Sequence, residues 1–402
     1  MDSINNKGRS PFYPGQPVPF EFFIGRMTEI GRITRAINQV ELGKPQAIFL
    51  NGEYGIGKSS LAGFMGRTAE VHNHLLCIHV LLGGAETLED VATKTVEAVI
   101  KSQLHKTTPK EKIGNFLSKY ISGPEIFGFG INFESLKADG PNLSHGYLPF
   151  LKELLSRFQE DGVKGIMLIL DEINGITRNP NFSHFIKTLV DENALSRTPL
   201  PLLLMLCGID ERRREMIQQH QPIERIFDIV EIKPMNVPEM TDFFNKTFNS
   251  VNMQVNAEAM SLLCHYSAGF PKIMHIIGDS VFWLDKDNTI DKDDAFNGIL
   301  IAAEEIGKKF VDQQIYKMLR SKDYHSIITK LVKEQFDLSF KKTNIEKGLS
   351  ETEKKKFNNF LQRMKELTVI SSGSEKGEYI FNSRLVRLYM LLNSLEDKHL
   401  KS

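Results

Sequence analysis

Up to Pro234, short apolar runs alternate with amphipathic stretches. Residues 47–51, 75–82, 166–170 and 201–208 are nearly continuous in apolar side chains, as strands buried on both faces must be. Residues 230–233 alternate apolar and polar. Between these runs apolar residues recur at helical spacing. The stretch 27–41 places Ile30, Ile33, Ile37 and Val40 on one face, and 88–102, 113–120 and 147–159 read the same way. Strands alternating with helices predict an α/β fold around a parallel sheet. Residues 121–146 break the rhythm, and the alternation of apolar and small residues over 126–133 predicts an inserted strand or hairpin. After Pro234 the pattern turns helical, over 238–248, 257–267, 271–284 and 292–310. A last block opens near Gln313. It gives helices, the final one at 353–367, then an apolar pair at 369–370, a turn at 371–377 and a strand at 379–381.

The chain therefore divides into an arm at 1–19 with four prolines, an α/β domain at 20–235, a helical domain at 236–312 and a terminal domain at 313–402. Helices followed by a two-stranded ribbon give the last domain the outline of a winged helix-turn-helix.

The chemistry is concentrated after the first predicted strand. Gly52-Glu53-Tyr54-Gly55-Ile56-Gly57-Lys58-Ser59 fits the G-x-x-x-x-G-K-S/T phosphate-binding loop. The glycines let backbone N–H groups turn toward phosphate oxygens without obstruction by side chains. Gly52, Gly55, Ile56, Gly57, Lys58, Ser59 and Ser60 are the expected nucleotide contacts. Lys58 reaches the β- and γ-phosphates, Ser59 ligates Mg²⁺, and the helix beginning here points its positive end at the same anion. The strand–loop–helix context supports the assignment.

A second constellation matches the first. Residues 166–170 run into Asp171 and Glu172, two carboxylates at the carboxyl end of a buried strand, where open α/β sheets bind ligands. This is a Walker B pattern. Asp171 would hold Mg²⁺, directly or through water, and Glu172 would act as general base on the attacking water.

Composition adds bounds. Fifty basic and fifty acidic residues cancel, so net charge singles out no partner. The distribution is uneven: residues 319–402 hold 17 Lys and Arg against 11 Asp and Glu. Cys77, Cys207 and Cys264 are scattered through apolar neighbourhoods and read as buried free thiols. No apolar stretch approaches the roughly 18 residues of a membrane span. The first ten residues show no apolar signal core, so a cytoplasmic protein is expected. His72 and His74 have no partners at metal-ligand spacing and read as surface residues. Trp283 is expected in the core.

From about residue 20 the chain resembles AAA+ ATPases of the initiator branch, the origin-recognition type, and of the STAND-like branch with C-terminal winged helices. Besides the phosphate loop, Phe23-Ile24-Gly25-Arg26-Met27-Thr28-Glu29 resembles the F-x-G-R-x-x-E box of that branch. The resemblance implies that Gly25 and Arg26 pack around adenine. It places an arginine finger near Ile223-Glu224-Arg225-Ile226-Phe227, with Arg225 reaching a neighbouring subunit's γ-phosphate and Arg212, Arg213 and Arg214 as rivals. It sets Lys272, in Gly269-Phe270-Pro271-Lys272, at the sensor-2 position. Two departures put the hydrolysis rate in doubt. Lys272 stands where the family often has Arg, and Cys207-Gly208 stands where a polar sensor is expected.

In the terminal domain Phe357, Phe360, Leu361, Met364 and Leu367 share a helix face, with Lys354, Lys355, Lys356, Arg363 and Lys365 outside it. That layout suits a recognition helix on duplex DNA, although a lysine-rich face is also what solvent exposure alone selects. The expectation is an ATP- and Mg²⁺-dependent switch that hydrolyses ATP. It would assemble as a homo-oligomer on DNA, in replication initiation, transposition target selection or antiviral defence. Two alternatives stay open: a STAND-type signalling ATPase that recruits an effector protein, and a weakly hydrolysing DNA regulator.

Overall fold

The computed structural model describes residues 7–16, 18–20, 23–103, 141–308, 322–333, 339–367, 369–373, 375–383 and 386–390. The helix expected at 113–120 and the strand or hairpin at 126–133 lie outside them. The chain forms two compact units, one of Pro17–Lys233 and one of Met1–Gln16 with Pro234–Ser402.

The first unit runs α1 (Met27–Glu41), β1 (Gln46–Asn51), α2 (Lys58–His72), β2 (Leu75–Leu81), α3 (Leu88–Gln103), α4 (Pro141–Phe158), β3 (Gly165–Asp171), α5 (Pro180–Leu195), β4 (Leu202–Gly208), α6 (Asp210–Gln219) and β5 (Asp228–Glu231). Its five strands pair in parallel in the order β2–β3–β4–β1–β5. Every residue of β3 and β4 is buried, which is why both read as unbroken apolar runs. Ile78, Leu168, Leu204 and Phe49 pack with Val96, Leu151, Phe182 and Phe185 from α3, α4 and α5. Ile33, Ile37 and Val40 bury one stripe of α1. Register aligns Asn51 with both Gly208 and Glu231, and Leu81 with Asp171. The phosphate-loop sequence, the acidic pair and the end of β4 thus emerge along one edge of the sheet, the edge at which parallel sheets bind ligands.

The second unit contains α7 (Val237–Asn249), β6 (Gln254–Val255), α8 (Ala257–Ser267), α9 (Pro271–Leu284), β7 (Thr289–Ile290), α10 (Lys292–Ile306), α11 (Lys322–Lys333), β8 (Ser339–Lys341), α12 (Lys342–Lys347), α13 (Glu351–Glu366), β9 (Ile370–Ser372) and β10 (Glu378–Phe381). Capping boxes at Asn236, Asp291 and Ser350 fix where α7, α10 and α13 begin. Instead of a two-stranded ribbon there is a three-stranded antiparallel sheet, β8–β10–β9. Three residues are too few for β8 to show a period.

The arm is part of this unit. Phe12 is buried against Phe243, Phe248 and His275. It lies over Gly278, where a Cβ would come within 2.2 Å of its ring. The Tyr13 N–H donates to His275 Nδ1 at 3.2 Å, and Lys7 Nζ donates to the Phe282 carbonyl at 2.7 Å.

Two further expectations are corrected. Trp283 is 53% exposed, because Val281 and Phe282 take the inward positions of the last turn of α9. Cys77 is only partly buried, because β2 is an edge strand, whereas Cys207 and Cys264 are buried free thiols. His72 and His74 are exposed, as expected.

Candidate nucleotide site

The loop between β1 and α2 has the backbone of an anion cradle. Gly55 and Gly57 take left-handed conformations, with φ of 76° and 100°, and Gly57 caps α2. A Cβ on Gly52 would lie 2.9 Å from Ile56 Cγ2 and 3.1 Å from the Ile232 carbonyl, so that position also requires glycine. Lys58 Nζ donates to the Gly52 and Glu53 carbonyls at 2.8 Å each. Burial lowers its pKa, while Asp171, Glu53 and Glu172 nearby favour its charge. The amine is therefore held among the groups that would bind phosphate and metal. Ile56 is buried, and the Ser60 hydroxyl accepts from the Val18 N–H at 3.4 Å.

Asp171 is 1% exposed, and the Ser59 hydroxyl lies near enough to favour its charge. Its Oδ2 lies 3.2 Å from His79 Nε2, and its Oδ1 accepts the Glu172 N–H at 2.8 Å. Burial alone would raise its pKa, but these donors outweigh burial and keep the carboxyl below the ordinary carboxylate range. Ser59 and Asp171 thus set a hydroxyl near an anion, a hard-oxygen pair that fits Mg²⁺. His79 was not singled out from the sequence. The signal available was a lone polar residue inside the buried run of β2.

Glu172 is exposed and has φ 58°. A left-handed conformation costs a non-glycine residue about 1–2 kcal/mol, and strain of this kind gathers where a side chain must be aimed. Its carboxylate lies over Gly83 in the loop after β2, where a Cβ would be 2.4 Å from Glu172 Oε2. The same loop meets the acidic turn again at Gly175, whose Cβ would lie 2.7 Å from the Ala85 carbonyl. The structure therefore brings Lys58, Ser59, Asp171 and Glu172 into one cluster.

The remaining predicted residues are placed differently. Gly25 has φ 81° and Arg26 φ 66°. Arg26 is 4% exposed and directs its guanidinium at backbone, donating to the Ile56 carbonyl at 3.0 Å and to the Lys233 carbonyl. It ties the phosphate-loop sequence to the segment after β5. Arg225 is exposed at the end of the turn Gln221–Arg225 and has no ion pair among the described residues. Its rivals are engaged: Arg212 with Glu215, and Arg213 and Arg214 with Asp210. Lys272 is exposed in the first turn of α9, in the second unit. Cys207, at the end of β4, is buried near Lys58 and Asp171, and burial pushes its thiol well above the usual range.

On α13 Phe357, Phe360, Leu361 and Met364 are buried, Leu367 caps the helix and is half-buried, and the basic residues lie outside the stripe. Most of those cations have partners within the chain. Lys354 pairs with Glu351, Lys356 with Asp323 and Arg363 with Glu366. Lys365 donates to Ser372 and sits 4.9 Å from the Tyr379 ring centre. Lys355 is exposed.

No family model matches the sequence, and no curated protein matches it. Solved structures do. The Walker-type ATPase of Pyrococcus abyssi superposes with a TM-score of 0.57 at 16% identity, over 92% of this chain and 96% of its own. The ORC2 protein of Aeropyrum pernix, solved in ADPNP–ADP complexes, gives 0.56 at 12% identity over 97% of each chain. Cdc6p of Pyrobaculum aerophilum gives 0.50 at 10% identity, over 96% and 98%. At such identities the likeness establishes fold. The chain has the α/β fold of an AAA+ P-loop nucleoside triphosphatase, built on a central parallel sheet. Among the described residues no helix is long and apolar enough to cross a membrane.

Proposed function

We propose that this protein binds and hydrolyses ATP with Mg²⁺ and works as a nucleotide-dependent switch. The observation that carries the reading is the single cluster of Lys58, Ser59, Asp171 and Glu172 at the carboxyl edge of the sheet, beneath a glycine-shaped loop. Backbone amides of Gly55–Lys58 and the Lys58 amine would hold the phosphates. Ser59 and Asp171 would hold Mg²⁺, which neutralises phosphate charge when bound. Glu172, exposed and aimed by its backbone, accepts the proton of the attacking water. Calorimetry tests this directly. The full chain should take up ATP–Mg²⁺, and Lys58→Ala should abolish uptake. Glu172→Gln should keep binding while hydrolysis falls about 10²–10⁴-fold. No heat of binding in the unmodified chain would refute the reading.

The switch is read as a homo-oligomer in which Arg225 serves a neighbour's site. In support, Arg225 is exposed and unpaired among the described residues while its three rivals are ion-paired. Mixing Arg225→Ala with Glu172→Gln subunits should restore activity above either alone. Assembly on duplex DNA through α13 and its neighbouring three-stranded sheet, as a winged helix, rests on the basic excess of residues 319–402. Salt-dependent duplex binding that weakens in a Lys354/Lys355/Lys356 triple alanine checks it. A second reading, in which this domain contacts an effector protein, is favoured by the internal pairing of Lys354, Lys356 and Arg363. Exposed pairs of this kind contribute only about 0–1 kcal/mol, so phosphates can displace them and duplex binding decides between the readings. The Aeropyrum pernix and Pyrobaculum aerophilum likenesses make replication initiation one setting for such a switch; transposition and antiviral defence are others.

A further inference from the structure

Strand β2 reads Leu75-Leu76-Cys77-Ile78-His79-Val80-Leu81, and a histidine is out of place in so apolar a run. Leu76, Ile78 and Val80 are fully buried on one face of the strand. Cys77, His79 and Leu81 line the other face, which opens toward solvent at the carboxyl edge. Register sets His79 beside Ile169 and Leu81 beside Asp171, so the imidazole shares a sheet face with the Asp171 carboxylate. That face is the one α2 covers: a Cβ on Gly66 of α2 would lie 2.5 Å from Cys77 Sγ and 3.4 Å from Ile169 Cδ1. The covering helix opens with Lys58 and Ser59, the residues expected to meet phosphate and cation.

His79 Nε2 stands 3.2 Å from Asp171 Oδ2, while Oδ1 of the same carboxylate accepts the Glu172 N–H. The imidazole is 27% exposed against 1% for the carboxylate, so the ring is the more accessible of the two. A cation held through Asp171 Oδ2 therefore has a ring nitrogen beside it. Two ligands about 2.1 Å from one ion and at about a right angle stand about 3.0 Å apart, so the observed separation already suits shared coordination. Imidazole nitrogen is a poor partner for Mg²⁺, which takes oxygen, and a good one for first-row transition dications. Among the described residues no three His, Cys, Asp or Glu side chains gather where one metal ion could be held. The protein thus offers a partial shell, and nucleotide phosphates must complete it.

We propose that His79, through Nε2, is a third protein ligand beside Ser59 and Asp171 for the nucleotide-bound cation, and that it makes the site prefer a first-row transition dication over Mg²⁺. The proposal rests on the nucleotide-binding reading above. With Mg²⁺ the two oxygens hold the ion and the ring stays a hydrogen-bond partner of Asp171. With a transition dication the ring joins the shell.

The test is calorimetry of the full chain with a non-hydrolysable ATP analogue, supplied as its Co²⁺ or its Mg²⁺ complex. The parent should bind the Co²⁺ complex at least about 10-fold more tightly than the Mg²⁺ complex. His79→Gln keeps a side-chain N–H for Asp171 but offers no ring nitrogen. It should lose about 10–100-fold in affinity for the Co²⁺ complex and stay within about two-fold for the Mg²⁺ complex. Proton NMR gives a second readout: the Co²⁺ complex of the parent should show a far-shifted, exchangeable imidazole N–H resonance that is absent with Mg²⁺ and absent from His79→Gln. Equal affinity of the parent for the two complexes, equal losses for both in His79→Gln, or no shifted ring proton overturns the proposal and leaves the nucleotide reading intact. Failure of the parent to bind either complex overturns both. If His79→Gln fails to fold, the shifted ring proton of the parent decides.

Discussion

Gly83→Ala separates the chemistry of the site from its stability. A methyl group on Gly83 would lie 2.4 Å from Glu172 Oε2, where ordinary contact begins near 3.4 Å. The carboxylate must therefore retreat by about 1 Å, and a displacement of that size in a reacting group costs roughly 10²-fold in rate. The fold should not suffer. Gly83 is exposed, its φ lies outside the left-handed region, and the obstructing atom is the tip of an exposed, flexible side chain. Removing a glycine from an unstrained position stabilises by about 0.4–1 kcal/mol through the unfolded chain. The variant should thus melt at or slightly above the parent temperature, bind ATP–Mg²⁺ normally and release phosphate about a hundred times more slowly. Single-turnover phosphate release, calorimetry and a thermal scan make up the assay. An unchanged rate would refute the argument, because Glu172 could then not be the base in the position the fold gives it.

The other predictions concern the buried clamps. Gly278→Ala should destabilise the protein by about 1–3 kcal/mol through collision with Phe12, whereas in a Phe12→Ala background the same change should gain up to about 1 kcal/mol as an ordinary helical alanine; denaturant titrations of the four proteins give the cycle. Burial lowers the His275 pKa from 6.5 to about 4, so the folded state binds the proton less readily than the unfolded chain. The sign follows: His275 contributes about 3 kcal/mol that is fully present above pH 6.5 and is lost as pH falls toward 4. Its proton would land on the Nδ1 that accepts from Tyr13, so hydrogen exchange at the Tyr13 amide should accelerate across that window, and a flat profile would count against the buried neutral ring. Arg26→Ala leaves the Ile56 carbonyl without its guanidinium donor and should cost about 2–4 kcal/mol in a thermal melt; an unchanged melt would mean that the side chain is free for adenine.

The two motifs and the strands that present them could be read from the sequence because buried parallel strands are apolar without interruption and because the loop needs glycine at fixed intervals. Both are local constraints. Other features depend on long-range packing. His79 is separated from Asp171 by the whole of α3 and α4, and only the β2–β3 register brings them together. Strand β8 pairs with a partner far along the chain and is too short to carry a period. Arg26 matched a family box, but its bonds to backbone depend on where Ile56 and Lys233 end up in the fold. Trp283, expected in the core, is turned outward by its position in the last turn of α9.

The docking of the arm onto α9 has a consequence for how the chain is made. Lys7 and the carbonyl it reaches are 275 positions apart, and Phe12 must wait for Gly278. During synthesis the arm leaves the ribosome long before its binding groove exists, and the whole sheet unit is translated in between. That unit is in effect a guest sequence inserted into its host, so the host cannot close until its guest is finished. Loop-closure entropy grows only with the logarithm of length, so the finished protein loses little stability to this order of events, and the delay falls on the speed of folding.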